Sequence, residues 1–267
     1  MAKKKKKRFS VSDRLRFLCY RFIPSIVKIE TVDTNNDTGI GTGFHVGGGY
    51  IATARHVADE LKSVIPHHFI GSASYDAANH EGELALDVLD VYRPADSMID
   101  LAVIKTDWNS DHYMKKMNGF YEGKTVKNYE HLTLANMYDE DFPETAILLS
   151  QVLILGYPPI PQSLDSYVVA VRADISAVTN VVVAVKAEVN AVVAKYNKPH
   201  SHLVLSSTAR GGLSGAPVID LKGEVIGICT ESLNRNNQIV ETGFQAAISV
   251  DPLNRLLADN AIFPGSN

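Results

Sequence analysis

The chain has little cysteine. Only Cys19 and Cys229 occur among 267 residues. A disulfide-stapled secreted domain needs several bridges, so two distant thiols suit a reducing, cytoplasmic compartment instead. With no CxxC spacing, they also exclude a cysteine-based zinc site, and no metal or cofactor is expected. Charge of one sign is scarce too. The formal net charge is -4, so the chain as a whole gives no reason to expect a nucleic-acid partner. Long apolar runs are missing, which excludes an integral membrane segment. The start, Met1-Ala2-Lys3-Lys4-Lys5-Lys6-Lys7-Arg8-Phe9, has the positive charge of a secretion signal. Asp13, Arg14, Arg16 and Arg21 then interrupt the segment where its apolar core should stand. The cationic run Lys3 to Arg8 reads first as a solvated, disordered arm. Its second reading is a weak contact with anionic nucleic acid or lipid. Internal repeats are absent.

What is present is enough apolar material for a core. Hydrophobic residues make up 45% and charged residues 21%. After an arm over 1–11, a short helix is expected from Ser12, its cap, to Phe22, stopped by Pro24. The texture then changes to short runs of β-branched and aromatic residues. Ile26 to Ile29, Gly43 to Val46, Tyr50 to Thr53, Leu86 to Val91 and Leu101 to Lys105 read as strands. Turn clusters at Asn35-Asn36-Asp37 and Gly47-Gly48-Gly49 punctuate them. The first unit is therefore drawn over 12–105 and a weakly patterned connection over 106–145. A second unit spans 146–267, with strands at Val152 to Leu155, Leu203 to Ser206, Pro217 to Ile219, Val225 to Thr230 and Thr242 to Ile248. Leu221-Lys222-Gly223-Glu224 reads as a hairpin turn. The Val/Ala-rich region from Tyr167 to Tyr196, broken at Thr179-Asn180, reads as a hairpin. Asp251 and Pro252 start a last helix over Leu253 to Ala258.

Chemistry enters with Ala209-Arg210-Gly211-Gly212-Leu213-Ser214-Gly215-Ala216-Pro217. Three glycines around one serine are a flexible turn unless a base and an orienting acid lie elsewhere in the chain. His56, in "GYIATARHVAD", directly follows a strand where the chain leaves the sheet. Asp100, in "MIDLAVIK", directly precedes one, and a carboxylate at the mouth of a buried strand needs partners. Asp59, Asp87, Asp90 and Asp96 compete for that role without the same flanks. The bland readings are a surface histidine and a strand-capping aspartate. The Gly-x-Ser-x-Gly elbow of α/β-hydrolases is not matched, because Ala216 replaces its second glycine and a strand follows. The chain order His, Asp, Ser is that of chymotrypsin.

The segments "PSIVKIE", "GTGFHVGGGYIATARHV", "DLAVIK", "VLILGYP", "GGLSGAPVIDLKGEVIGI" and "TGFQAAISVDPLNRLL" occur in that order. Together they resemble the trypsin-like (chymotrypsin-fold) serine peptidases, nearest the HtrA/DegP-like branch, from about Pro24 to Leu257. The resemblance implies an all-β fold of two six-stranded antiparallel barrels with short terminal helices. The chain ends soon after the barrels, so the PDZ module common in the HtrA branch is not expected. It implies a serine endopeptidase with Ser214 as nucleophile, His56 as general base and then acid, and Asp100 as orienting carboxylate. The N–H groups of Gly212 and Ser214 would form the oxyanion hole, and Thr53 would place a hydroxyl near the acid. The substrate would be an extended polypeptide pairing with an edge strand near Ile228 to Glu231. Its side-chain pocket would be lined by Thr208, Ala209, Ile228, Cys229 and Thr230, and with no aspartate at its base it should favour small or medium apolar groups. Leu213 stands where digestive members carry the aspartate that pairs with a freshly cut amino terminus. Control is therefore expected from loop ordering or a regulatory protein partner. The alternative is a catalytically silent member that uses the same fold to bind proteins.

Overall fold

The computed structural model describes residues 10–66, 85–108, 131–136, 147–158, 182–194, 201–208, 211–230 and 244–263. Lys3 to Arg8, His67, His68, His200, Ala209, Glu231, residues 167–181 and most of 106–145 lie outside these.

Helix α1 (Val11–Phe22) opens the described chain. Its cap is Ser10 rather than the expected Ser12. Ser10 accepts from the Asp13 N–H at 3.1 Å, and Asp13 accepts back from the Ser10 N–H at 3.2 Å. Only Ser10 stands three residues before an acid that can return the bond, so the reciprocal pair decides the start. Leu15, Leu18 and Phe22 are buried. Arg14 ties the helix down by donating to the carbonyls of Leu221 and Lys222 at 2.8 and 2.9 Å. A 3-10 turn at Ile23–Ser25 follows, with proline in its first turn as the sequence requires.

The first sheet holds β1 (Ile26–Val32), β2 (Thr38–Gly47), β3 (Tyr50–Thr53), β4 (Leu61–Pro66), β5 (Val88–Tyr92) and β6 (Ala102–Thr106). Helix α2 (Arg55–Asp59) joins β3 to β4. The strand order is β4-β1-β2-β3-β6-β5, with every pairing antiparallel. Alternate side chains of one strand enter two different cores. From β3 and β6, Ile51, Ala102 and Ile104 pack with Val27, Ile29, Val64 and Trp108 inside the first sheet. Ala52 and Val103 point the other way, into the core shared with the second sheet. That double burial is why "DLAVIK" reads as a continuous apolar run.

The second sheet holds β7 (Thr133–Leu134), β8 (Gln151–Gly156), β9 (Val183–Ala194), β10 (Ser201–Leu205), β11 (Pro217–Ile219), β12 (Glu224–Thr230) and β13 (Gln245–Ser249). Strands β8, β9, β10, β13, β12 and β11 follow one another, and the β11–β12 pairing closes them into a six-stranded ring. The short β7 adds to β12 in parallel. Asp220 makes the β11–β12 turn by accepting from the N–H groups of Lys222, Gly223 and Glu224, each at 2.9 Å. Helix α3 (Asp251–Asp259) buries Leu253, Leu256 and Leu257 and ends the described chain near Phe263. The two β units with short helices are a chymotrypsin-like all-β fold, as the sequence implies.

Candidate active site

The β3–β6 register sets up the site. Thr53 is paired with Ala102, so the chain leaves β3 and enters β6 at the same end of the sheet. His56 comes three residues after Thr53, on α2, and Asp100 two residues before Ala102. The His56 Nδ1 lies 2.9 Å from one Asp100 carboxylate oxygen and 3.0 Å from the other. The His56 backbone N–H also donates to Asp100 at 3.1 Å. The two side chains keep 31% and 28% of their surface exposed. The pair is therefore partly exposed and not in the core.

Asp100 has a third donor, the Thr230 hydroxyl at the end of β12. Burial acts to raise the Asp100 pKa. The hydrogen bonds and charge of His56 and the Thr230 bond outweigh it, and the carboxyl is held below its ordinary value of 3.8. The rival aspartates are used otherwise. Asp59 binds Arg93 at 2.8 Å, Asp90 accepts from the Val91 N–H and Asp96 from the Met98 N–H, while Asp87 is exposed.

Thr53 is hydrogen-bonded within its own sheet. Its hydroxyl donates to the Thr42 carbonyl at 2.7 Å, and the hydroxyl beside Asp100 comes from Thr230 instead. Thr53 points back along the β2–β3 ladder, whereas Thr230 approaches from the second sheet. Of the residues expected to line the pocket, Ala209 lies outside the described residues. Ile228 and Cys229 are fully buried, and Thr230 is nearly so. Cys229 bonds through its N–H to the Ala216 carbonyl at 2.8 Å and through its carbonyl to the Gly215 N–H at 2.8 Å, while pairing with Ala247 on the other side. Residues 228–229 are thus paired on both flanks and offer no free edge to a substrate. Thr208 is exposed.

The serine loop connects β10 to β11. Ser214 is half-buried, and its carbonyl accepts from the Thr42 N–H at 2.9 Å. The loop turns on two left-handed glycines, Gly212 at φ 78° and Gly215 at φ 85°. A side chain at Gly212 would meet the Tyr157 carbonyl. One at Gly215 would meet the Thr42 carbonyl, the Thr53 hydroxyl and the Ala54 nitrogen. Only glycine permits that approach. It seats the Ser214 segment against the end of β3, two residues before His56. Leu213 is fully buried and faces Gly156 of β8. Where a digestive enzyme anchors this loop with a charge, this chain anchors it in the apolar core.

Sequence reasoning missed Thr42. Fully buried on β2, its hydroxyl donates to the Gly212 carbonyl at 2.6 Å and accepts from the Tyr157 N–H at 3.0 Å. The only signal was a threonine between two glycines inside a strand. Among the described residues no group of three His, Cys, Asp or Glu side chains is placed to hold a metal, and no helix is long and apolar enough to cross a membrane.

Comparison with known proteins agrees with this fold. The family model described as a trypsin-like peptidase domain matches residues 41–228. The Rv3671c protease of M. tuberculosis in its active form is 16% identical with a TM-score of 0.57, covering 100% of this chain and 97% of its own. An inactive form of a serine-to-alanine mutant of the same protein is 17% identical with a TM-score of 0.53, covering 93% of each chain. At that identity the likeness speaks for the fold alone. No curated protein matches the sequence. The family match spans well over half of the chain and includes the His56, Asp100 and Ser214 segments, so this protein belongs to the trypsin-like peptidase domain family, that of the trypsin-like serine proteases.

Proposed function

We propose that the protein is a serine endopeptidase that cleaves an extended polypeptide through an acyl-enzyme, with Ser214 as nucleophile. His56 takes the serine proton through Nε2 and returns it to the leaving amine. Asp100 holds His56 in the tautomer with its proton on Nδ1 and stabilises the imidazolium without taking that proton. The N–H groups of Gly212 and Ser214 bind the oxyanion. A donor of this kind contributes about 3 to 4 kcal/mol to the transition state. Water then hydrolyses the ester by the same steps.

The observation that carries this reading is the Asp100 carboxylate. It is fixed by three donors and grips the His56 Nδ1 with both oxygens, at 2.9 and 3.0 Å. A strand-capping aspartate would face backbone amides only. With Leu213 buried, the serine loop has an anchor that needs no freshly cut amino terminus. Control then falls to substrate or to a regulatory protein. Both cysteines are free, which fits a reducing compartment.

The test is labelling with a fluorophosphonate probe. The wild type should label, and Ser214→Ala should lose labelling while unfolding at the same urea concentration. Peptide-library cleavage by the same pair gives the preference. Folded wild-type protein that neither labels nor cleaves would reject the mechanism.

A further inference from the structure

Two buried polar atoms at one end of the second barrel lack a partner. Gln245 opens β13 opposite Leu205 of β10, and Ala247 stands opposite Leu203. Directly paired residues share a face of the sheet. Leu203, Leu205 and Ala247 lie in the core, so Gln245 also points inward, at 3% exposure. Its amide nitrogen donates to the Thr230 carbonyl at 3.1 Å and to the Ala246 carbonyl at 2.9 Å. Those bonds fix the amide, because a flip would set its oxygen against two carbonyls. Oε1 is then a buried acceptor with no partner among the described residues. Ser207, two residues beyond Leu205, is the second case. It is 8% exposed, and its hydroxyl is also without a partner. Neither atom serves stability, since a polar group buried unpaired is destabilising. Both stand beside the catalytic residues. Ser207 begins the loop that carries Ser214, and Gln245 holds the carbonyl of Thr230, whose hydroxyl binds Asp100.

We propose that the Ser207 hydroxyl and Gln245 Oε1 form a polar floor for the substrate side chain before the scissile bond. They select a neutral hydrogen-bonding group there, a carboxamide or a hydroxyl. This rests on the serine-endopeptidase reading and names its substrate class. Gln245 Oε1 only accepts, so the guest must bring an N–H or O–H. Ser207 can donate or accept, so it serves the guest's other polar atom or the same hydroxyl. An apolar guest would leave both atoms unpaired, and that loss is the source of discrimination in a site built to hydrogen-bond. A carboxylate would set oxygen against Oε1. A lysine or arginine would bring a buried charge that neither residue can neutralise. Cys229 of β12 pairs with Ala247 and shares this face. Burial pushes its thiol pKa up, so it adds no charge.

The test is cleavage of peptides by the full chain at matched pairs before the scissile bond: glutamine against methionine, asparagine against leucine, threonine against valine. In the best-cleaved pair the polar member should lead by about tenfold or more in kcat/KM. Ser207→Ala should cut that lead by about tenfold. It should unfold at the wild-type urea midpoint or above, because it removes an unpaired buried hydroxyl. Gln245→Met, of similar volume, should shift the glutamine–methionine pair toward methionine. Fluorophosphonate labelling separates this inference from the reading it rests on, because that probe has no peptide side chain to seat. A protein that labels and cleaves, but favours apolar or charged side chains or shows no preference, overturns the inference alone. So does a preference that Ser207→Ala leaves unchanged. A folded protein that neither labels nor cleaves overturns both.

Discussion

The Thr42 hydroxyl of the first sheet reaches the Gly212 carbonyl of the second at 2.6 Å. Its direction is fixed, because the same oxygen accepts from the Tyr157 N–H and must give its own proton to Gly212. Together with the bond from the Thr42 N–H to the Ser214 carbonyl, it holds both flanks of Leu213. In the proposed mechanism this clasp keeps the Gly212 peptide turned for the oxyanion. Thr42→Val should remove the hydroxyl that the Gly212 carbonyl and the Tyr157 N–H share and cost about 2 to 4 kcal/mol of stability. It should also lower kcat about tenfold or more with little change in KM, since an oxyanion donor acts on the transition state. Thr42→Ser should recover most of kcat. Urea unfolding and steady-state peptide cleavage measure the two effects.

Thr230 supports Asp100 from the opposite barrel, so its hydroxyl couples the two halves of the site. Thr230→Val removes one of the interactions that lower the Asp100 pKa and lets it move back up. Asp100 contributes stability above its ordinary value of 3.8, and that contribution fades as pH falls through the lower folded value. The stability gap between wild type and Thr230→Val should thus be largest near neutrality and shrink at low pH. The value of kcat/KM should fall about tenfold, as expected for losing a hydrogen bond to a charged group. Denaturation and cleavage assays across pH test both statements.

The strands that the sequence marked best are those with a clear turn at one end. Tyr50–Thr53 and Pro217–Ile219 form with the expected limits, because glycine and aspartate turns adjoin them. Leu61–Pro66 was not expected, since Lys62 and Ser63 break the apolar pattern and its pairing with β1 is a tertiary choice. The residues His56 and Asp100 stood out because each sits where a strand meets a loop. Thr42 and Thr230 did not, because a hydroxyl inside an apolar strand gives no periodic signal. Their roles depend on which strand ends the fold brings together across two barrels. A sequence does not say which stretch of a strand is paired on both sides, and residues 228–229 are.

Leu213 is fully buried and packs the serine loop against Gly156. Leu213→Ala should cost about 2 to 5 kcal/mol, the range for emptying a leucine site in a packed core. Leu213→Asp should be worse, because it buries a carboxylate in the apolar contact with Gly156. Supplying a new amino terminus by proteolysis should not rescue it, unlike an enzyme built around that ion pair. Urea midpoints, and fluorophosphonate labelling of the fraction that stays folded, check these outcomes.

His45 makes the fold sensitive to acid. It is buried on β2, stacked on Trp108 with ring centroids 4.8 Å apart. Its Nε2 accepts from the Gly49 N–H at 3.3 Å, so the proton sits on Nδ1, which has no partner among the described residues. Burial, with smaller contributions from His131 and Lys105, lowers its pKa from 6.5 to about 4. The unfolded chain binds this proton more readily than the folded one. Stability is then complete above about pH 6.5 and falls as pH drops toward about 4, by about 3 kcal/mol in all. Replacing His45 with Gln keeps an acceptor for Gly49 and removes the titration. That variant should be less stable than wild type at pH 7.5, having lost the stacked ring, yet lose less stability on going to pH 4.5. Parallel slopes of stability against pH for the two proteins would show that His45 does not carry the acid sensitivity.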